Sequence, residues 1–205
     1  DNVYAYGRVD GAMTERSPIN PASRKGRVRA AALAALASAT SERGLSVTVA
    51  RSADFYGPGA STSSFNTYGL ARIEAGKTGT WFFDADQPHS LTYTPDIGEA
   101  LALLGTHPTG RGGVWHLPTA PALTGRGYLQ LGAPGAKVAV MSRMTMRIGG
   151  LFSAGARETL ELSYQYTAPY LFDSSAFETA FSVTATPIVD GIAATMANLK
   201  ALPPG

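Results

Sequence analysis

The chain has 205 residues, 44% hydrophobic and 16% charged, which is enough apolar material for one buried core and too ordinary a composition for disorder. Its 17 lysines and arginines leave a formal charge of only +2, and the one dense basic stretch, Arg24, Lys25, Arg27 and Arg29, lacks the length and interleaved aromatics of a nucleic-acid stripe. Without cysteine there is no disulfide framework, thiolate nucleophile or thiolate metal site, which fits a reducing compartment and points to the cytoplasm.

The longest apolar run, residues 30–37, is too short to span a bilayer, and no membrane partner is expected. The chain opens on Asp1 and not Met, so a trimmed or fragmentary beginning is expected. In residues 2–6, Val3, Tyr4 and Tyr6 alternate with small residues and predict a strand that Gly7 stops, with Tyr4 and Tyr6 on one face. A polar loop follows through Asn20-Pro21. Helix formers fill residues 23–43, where Val28, Ala32, Ala35 and Leu36 share one face.

Residues 45–51 alternate with period two and predict a strand, which breaks at Tyr56-Gly57-Pro58-Gly59, where glycine supplies unusual φ values and proline fixes a turn. Short strands are predicted at residues 81–84 and 91–94. Pro95-Asp96 opens a helix with Ile97, Ala100, Leu101 and Leu104 at helical spacing. Strands at 114–117 and 137–141 flank a helix at 123–131, and further helices are predicted at 143–152, 156–166 and 187–199. The last carries Ile188, Ile192, Met196 and Leu199 on one side.

Strands alternating with helices predict an α/β fold with a mostly parallel sheet, which binds ligands at the carboxyl ends of its strands. No Gly-x-Gly-x-x-Gly turn follows a strand and opens a helix, and Gly110-Arg111-Gly112-Gly113 precedes a strand instead. His107 and His116 stand at no metal-ligand spacing, so no metal site is read. Ser23 and Ser64 lie in no Gly-x-Ser-x-Gly elbow, which leaves a hydrolase without support.

Four runs carry a family resemblance. Val3-Tyr4-Ala5-Tyr6-Gly7 is similar to the end of Ser-Ser-x-x-Val-Tyr-Gly, and Pro21-Ala22-Ser23-Arg24-Lys25 falls where Tyr-x-x-Ser-Lys is found. Residues 51–59, Arg-Ser-Ala-Asp-Phe-Tyr-Gly-Pro-Gly, resemble Arg-x-x-Asn-Val-Tyr-Gly-Pro-Gly, and residues 89–96 resemble Arg-Asp-x-x-His-Val-x-Asp. In this order they resemble the later two thirds of an extended short-chain dehydrogenase/reductase, of the NAD-dependent epimerase/dehydratase family, without its glycine-rich cofactor-binding part. The resemblance implies a Rossmann-like sheet with helices on both faces, its N-terminal part missing, and a small C-terminal substrate-side portion, with residues 1–205 as one domain. It also implies NAD or NADP as cofactor, a small-molecule substrate and a homodimer through the helix from Ser23.

In the family a tyrosine is the general acid/base, its pKa lowered by a lysine four residues on. By alignment the lysine is Lys25, Pro21 stands in place of the tyrosine, and Asn2 replaces the substrate-orienting serine. A proline has no proton to give, so Tyr4 or Tyr6 is the candidate substitute, the alternative being that both are packed aromatics. The resemblance places Lys25, Phe55 and Tyr56 against the nicotinamide half of the cofactor, and Asn2, Asp54, His89, Tyr166 and Tyr170 on the substrate side. His89 stands where an arginine grips a sugar diphosphate, and Asp54 adds a carboxylate that repels one, which argues against nucleotide-sugar substrates. Three readings stay open: a nicotinamide-dependent oxidoreductase or isomerase atypical at its tyrosine, a non-catalytic dinucleotide or metabolite sensor, and an inactive fragment.

Overall fold

The computed structural model describes residues 1–201, so the last four residues of the predicted 1–205 unit lie outside the described residues. The strands are β1 (Ala12–Met13), β2 (Val49–Arg51), β3 (Asp54–Tyr56), β4 (Gly79–Phe82), β5 (Pro88–His89), β6 (Leu91–Tyr93), β7 (Val114–His116), β8 (Leu123–Thr124), β9 (Val138–Met141) and β10 (Leu171–Phe172). The helices are α1 (Arg24–Arg43), α2 (Ala71–Glu74), α3 (Thr94–Thr106), α4 (Gly125–Gly132), α5 (Arg143–Gly150), α6 (Ala154–Glu161), α7 (Ser175–Phe181) and α8 (Ile188–Ala201). The pairs β1-β10, β2-β7, β3-β6 and β4-β9 are parallel and β5-β8 is antiparallel. This is the mostly parallel, Rossmann-like arrangement expected, built from short two-stranded ladders. No described helix is long and apolar enough to cross a membrane.

The first segment departs from the strand predicted at residues 2–6. Asn2 makes one parallel bridge to Ser52, and its side chain then accepts the Tyr4 backbone N–H at 3.0 Å. That bond caps a 3-10 turn over Val3–Ala5, because an asparagine side chain offers the backbone a local partner that competes with a ladder. Alternation is lost, and Tyr4 and Tyr6 line different cavities instead of sharing a face.

Ser23 caps α1 by accepting the Gly26 N–H at 2.9 Å, and Gly44 closes it at φ 63°. The alanine-rich helix forms as predicted, but its apolar side is not buried: Val28 is 63% and Leu36 42% exposed. The strand predicted at 45–51 pairs only over β2. Its partner β7 begins after Gly112 and Gly113, whose positive φ values of 77° and 73° end the ladder. Thr48 instead spends its hydroxyl on Gly110 O and Gly112 N, both at 2.8 Å.

The turn after β3 is built as its composition predicts. Gly57 has φ 149°, and a Cβ there would strike Thr94 Oγ1, while Asn66 Nδ2 donates to Gly57 O at 2.7 Å. Beyond it, Phe65–Leu70 forms an unpredicted π-helical turn that runs into α2. Tyr56, Phe65, Leu70, Trp81, Tyr128, Leu129 and Ile192 form the largest buried cluster, on which Ile188, Met196 and Leu199 of α8 also pack. In α3, Ala100 and Leu104 pack with Leu117 and Phe177, whereas Leu101 is 50% exposed. The helix predicted at 156–166 ends at Glu161, and a 3-10 turn at Ser163–Gln165 then delivers Tyr166.

Candidate active site

A cavity of about 250 Å³ opens where several of these elements converge. The 3-10 turn supplies Tyr4, the start of α1 Lys25, β3 Asp54 and Phe55, β4 Trp81 and Phe82, β5 His89, and the segment after α6 Gln165 and Tyr166.

Asp54 and His89 form its polar centre. Asp54 Oδ2 lies 3.0 Å from His89 Nε2 and accepts the Tyr166 hydroxyl at 3.2 Å. A carboxylate only accepts, so His89 carries a proton on Nε2 and donates it. The imidazole is stacked between two phenols, with its centroid 4.7 Å from Tyr166 at 18° and 4.2 Å from Tyr170 at 13°. The Trp81 ring meets it edge-on at 5.5 Å. Tyr128 fixes the backbone behind it, donating its hydroxyl to His89 O at 2.9 Å. His89 is thus held on both faces and at one edge, with 2% of its side chain exposed against 24% for Asp54.

The phenols around this pair keep their protons. Burial first, and then the charge of Asp54, push Tyr4 well above the ordinary tyrosine range. The same two causes, in the same order, raise Tyr166. Desolvation disfavours the phenolate and a neighbouring carboxylate adds to the penalty, so both residues are hydrogen-bond donors and neither is a base near neutral pH.

Lys25 enters the cavity edge from the first turn of α1. Its Nζ pairs with Glu158 Oε2 of α6 at 2.8 Å, with 39% and 57% of the two side chains exposed. Glu161 Oε1, one turn on, accepts the backbone N–H groups of Arg24 and Lys25. A carboxylate there satisfies orphan donors and complements the helix dipole. Two acidic residues of α6 therefore hold the N-terminus of α1, and with it Lys25, beside the cavity.

Of the residues singled out in the sequence, Tyr4, Lys25, Asp54, Phe55, His89 and Tyr166 line this one cavity. Asn2, Tyr6, Tyr56, Tyr170 and Pro21 do not. Asn2 is spent as a cap. Tyr6 is 1% exposed, with its hydroxyl 2.9 Å from His116 Nε2 and the Arg51 guanidinium 4.5 Å over its ring. Tyr56 is buried against Phe65 and Tyr93, and Tyr170 backs the His89 ring. Sequence reasoning missed Trp81, Phe82, Phe65 and Gln165 as cavity walls. For Phe65 the signal was present: residues 61–64, Ser-Thr-Ser-Ser, are helix-starting residues followed by Phe65, Leu70 and Ile73.

The family model described as the NAD dependent epimerase/dehydratase family matches residues 2–116. A search of curated proteins finds no match. Among solved structures, the chain is similar to UDP-glucuronic acid 4-epimerase from Bacillus cereus in complex with NAD, with TM-score 0.75 and 16% identity, covering 97% of this chain and 59% of that one. It is also similar to a dTDP-glucose 4,6-dehydratase from Streptomyces venezuelae with NAD bound, with TM-score 0.73, 22% identity and coverage of 97% and 58%. A third similar structure is UDP-glucose 4-epimerase from Thermus thermophilus in complex with NAD, with TM-score 0.75, 19% identity and coverage of 97% and 61%. At these identities the likeness is one of fold, and the chain spans about three fifths of the length of the structures it matches.

Proposed function

The chain belongs to the NAD-dependent epimerase/dehydratase family, and on that premise we propose that it is part of an NAD- or NADP-dependent epimerase/dehydratase-like or reductase-like protein acting on a small molecule held in the cavity around Asp54. The observation that carries this reading is the convergence of Tyr4, Lys25, Asp54, Phe55, His89 and Tyr166, drawn from separate stretches of sequence, on one cavity.

The donor set fits the nicotinamide end of such a cofactor. An ammonium has three N–H donors and the Glu158 pair engages one, so Lys25 retains donors for a ribose diol, while Phe55 offers an apolar wall. When bound, the dinucleotide supplies a hydride acceptor or donor. The chain's own residues orient the substrate: Tyr4 and Tyr166 donate hydrogen bonds, and Asp54 accepts them. Pro21 occupies the position of the family's tyrosine, so no phenol of lowered pKa is supplied by that motif. A homodimer through the exposed side of α1 and a cytoplasmic location belong to the same proposal, and light scattering of wild type against Val28→Glu tests the first.

One observation favours a second reading, a non-catalytic binding module that senses a dinucleotide or metabolite: Tyr4 and Tyr166 are buried beside the Asp54 carboxylate, which Tyr166 hydrogen-bonds, and burial and that charge raise their phenol pKa values where tyrosine catalysis needs one lowered. The full-length protein separates the two. Both bind NAD or NADP in a calorimeter, but only an enzyme changes nicotinamide absorbance when a metabolite library is added. Failure to bind either dinucleotide sinks the enzyme and the dinucleotide sensor and leaves only a metabolite sensor.

A further inference from the structure

Both hydrogen bonds to the Asp54 carboxylate fall on Oδ2, which leaves Oδ1 without one among the described residues. Asp54 is also the more accessible partner, at 24% exposure against 2% for His89. A carboxylate with one oxygen saturated and the other free, on a cavity wall, accepts an O–H from a ligand, and His89 and Tyr166 prevent it from turning away.

The remaining walls decide what kind of ligand that is. Among the described residues, the charged side chains lining the cavity are Lys25, Asp54 and, when protonated, His89, and no arginine lines it. Lys25 is paired with Glu158, and the His89 Nε2 proton is given to Asp54. Among the described residues no bidentate cation is therefore placed to neutralise a phosphate, and a phosphate brought against Asp54 meets a like charge. The other contributions are aromatic surfaces from Phe55, Phe65, Trp81 and Phe82 and phenol donors that keep their protons, a combination that suits a ring or chain bearing neutral hydroxyls.

We propose that Asp54, positioned by His89 and Tyr166, anchors a hydroxyl of an uncharged small-molecule substrate through Oδ1 and excludes phosphorylated and nucleotide-linked substrates from that position. The proposal deepens the functional reading above, because it names the substrate class of the same cavity.

The test uses ligand-observed NMR and calorimetry on the full-length protein with a panel of uncharged glycosides, cyclitols and hydroxyaryl alcohols, alongside UDP-glucose. The expected result is that at least one uncharged compound binds and UDP-glucose does not compete for the cavity. Asp54→Ala should weaken the uncharged ligand about 10- to 100-fold, as expected for losing a hydrogen bond to a charged group, and Tyr166→Phe should weaken it less. Asp54→Asn keeps the shape and removes the charge, so it reports if the alanine variant fails to fold: it should weaken the uncharged ligand and relax the exclusion of UDP-glucose. Preferential binding of UDP-glucose to the wild type, the absence of any uncharged ligand, or binding indifferent to Asp54→Asn would each overturn the proposal. NAD titrated into the same samples reports separately. Dinucleotide binding without an uncharged ligand sinks only the substrate class, and an uncharged ligand without dinucleotide binding sinks only the cofactor reading.

Discussion

Tyr6 gives its hydroxyl proton to His116 Nε2 at 2.9 Å because the other ring nitrogen, Nδ1, is committed as a donor to the carbonyl of Asp173 at 2.8 Å. A carbonyl only accepts, so the proton sits on Nδ1 and the lone pair on Nε2 faces the phenol. The ring is 0% exposed and stacks on Phe172 at 4.0 Å, so this neutral tautomer joins the first segment to β7 and to the stretch after β10.

That arrangement predicts acid sensitivity. Burial, opposed by the nearby Glu15 and Asp173 charges and aided by Arg51, holds His116 below the usual 6.5. A histidine with a depressed folded-state pKa contributes stability above its unfolded value, and the contribution is lost as pH falls through 6.5 toward the folded value. In NMR titration the His116 C2–H shift should therefore lie closer to that of a neutral ring at pH 6.5 than the shift of an exposed histidine, which is half-protonated there. Tyr6→Phe should cost about 1 kcal/mol in urea unfolding at pH 7.5, by removing the donor to a buried acceptor. A His116 that titrates like a free imidazole would contradict the depressed pKa and the acid sensitivity that follows from it.

Tyr128 predicts the opposite limb. Burial, partly offset by its backbone hydrogen bonds, pushes its phenol up to about 12. A group raised in the folded state contributes stability that is complete below its unfolded value near 10 and is lost as pH climbs from 10 to 12, on the order of 2–3 kcal/mol. Tyr128→Phe cannot titrate and also loses the hydrogen bond to His89 O. It should be less stable than wild type at pH 7 by about 1 kcal/mol and should lose less on going to pH 11. Denaturant midpoints at the two pH values check this, and parallel curves would refute it.

Lys25→Ala should weaken NAD binding to the full-length protein about tenfold, the loss of one charged hydrogen-bonding donor, with little change in melting temperature because the Glu158 pair is solvent-exposed. Glu158→Gln releases the ammonium and should leave NAD affinity unchanged or raise it. Calorimetric titration of both variants decides the role: unaltered affinity in Lys25→Ala would remove Lys25 from the cofactor site.

The sequence announced the parts of the site whose backbone is unusual and hid the parts that depend on packing. The Tyr56-Gly57-Pro58-Gly59 turn was legible because glycine and proline act through their own φ preferences, and α1 because alanine favours helix wherever its side chains end up. Its exposed apolar side was not legible, since periodicity says that residues share a face and not what covers it. At Phe65–Leu70 the sequence carried a helix start but not the π-helical form of the turn, for a related reason. It contains Gly69, a poor helix former, and is held by Phe65 against Tyr56, Trp81 and Tyr128, tertiary contacts that outweigh local propensity. Likewise Asp54 and His89 were individually visible as departures from a family pattern, but their 3.0 Å contact depends on β3 and β5 being brought together, which spacing of 35 residues does not encode.

Gly57 offers a test in which conformation and contact can be separated. Its φ of 149° is a backbone state that residues with side chains adopt at a cost of about 1–3 kcal/mol, and a Cβ would also collide with Thr94 Oγ1. Thr94 Oγ1 is itself buried without a hydrogen-bond partner among the described residues, so Thr94→Ala should be nearly neutral by itself. Gly57→Ala should be strongly destabilising, and adding Thr94→Ala should recover the part due to the collision while leaving the part due to φ. Chemical denaturation of the two single variants and the double variant gives the coupling directly. A coupling near zero would mean that the turn moves away from Thr94 when Gly57 is substituted, and a full recovery would mean that the backbone state itself carries no strain.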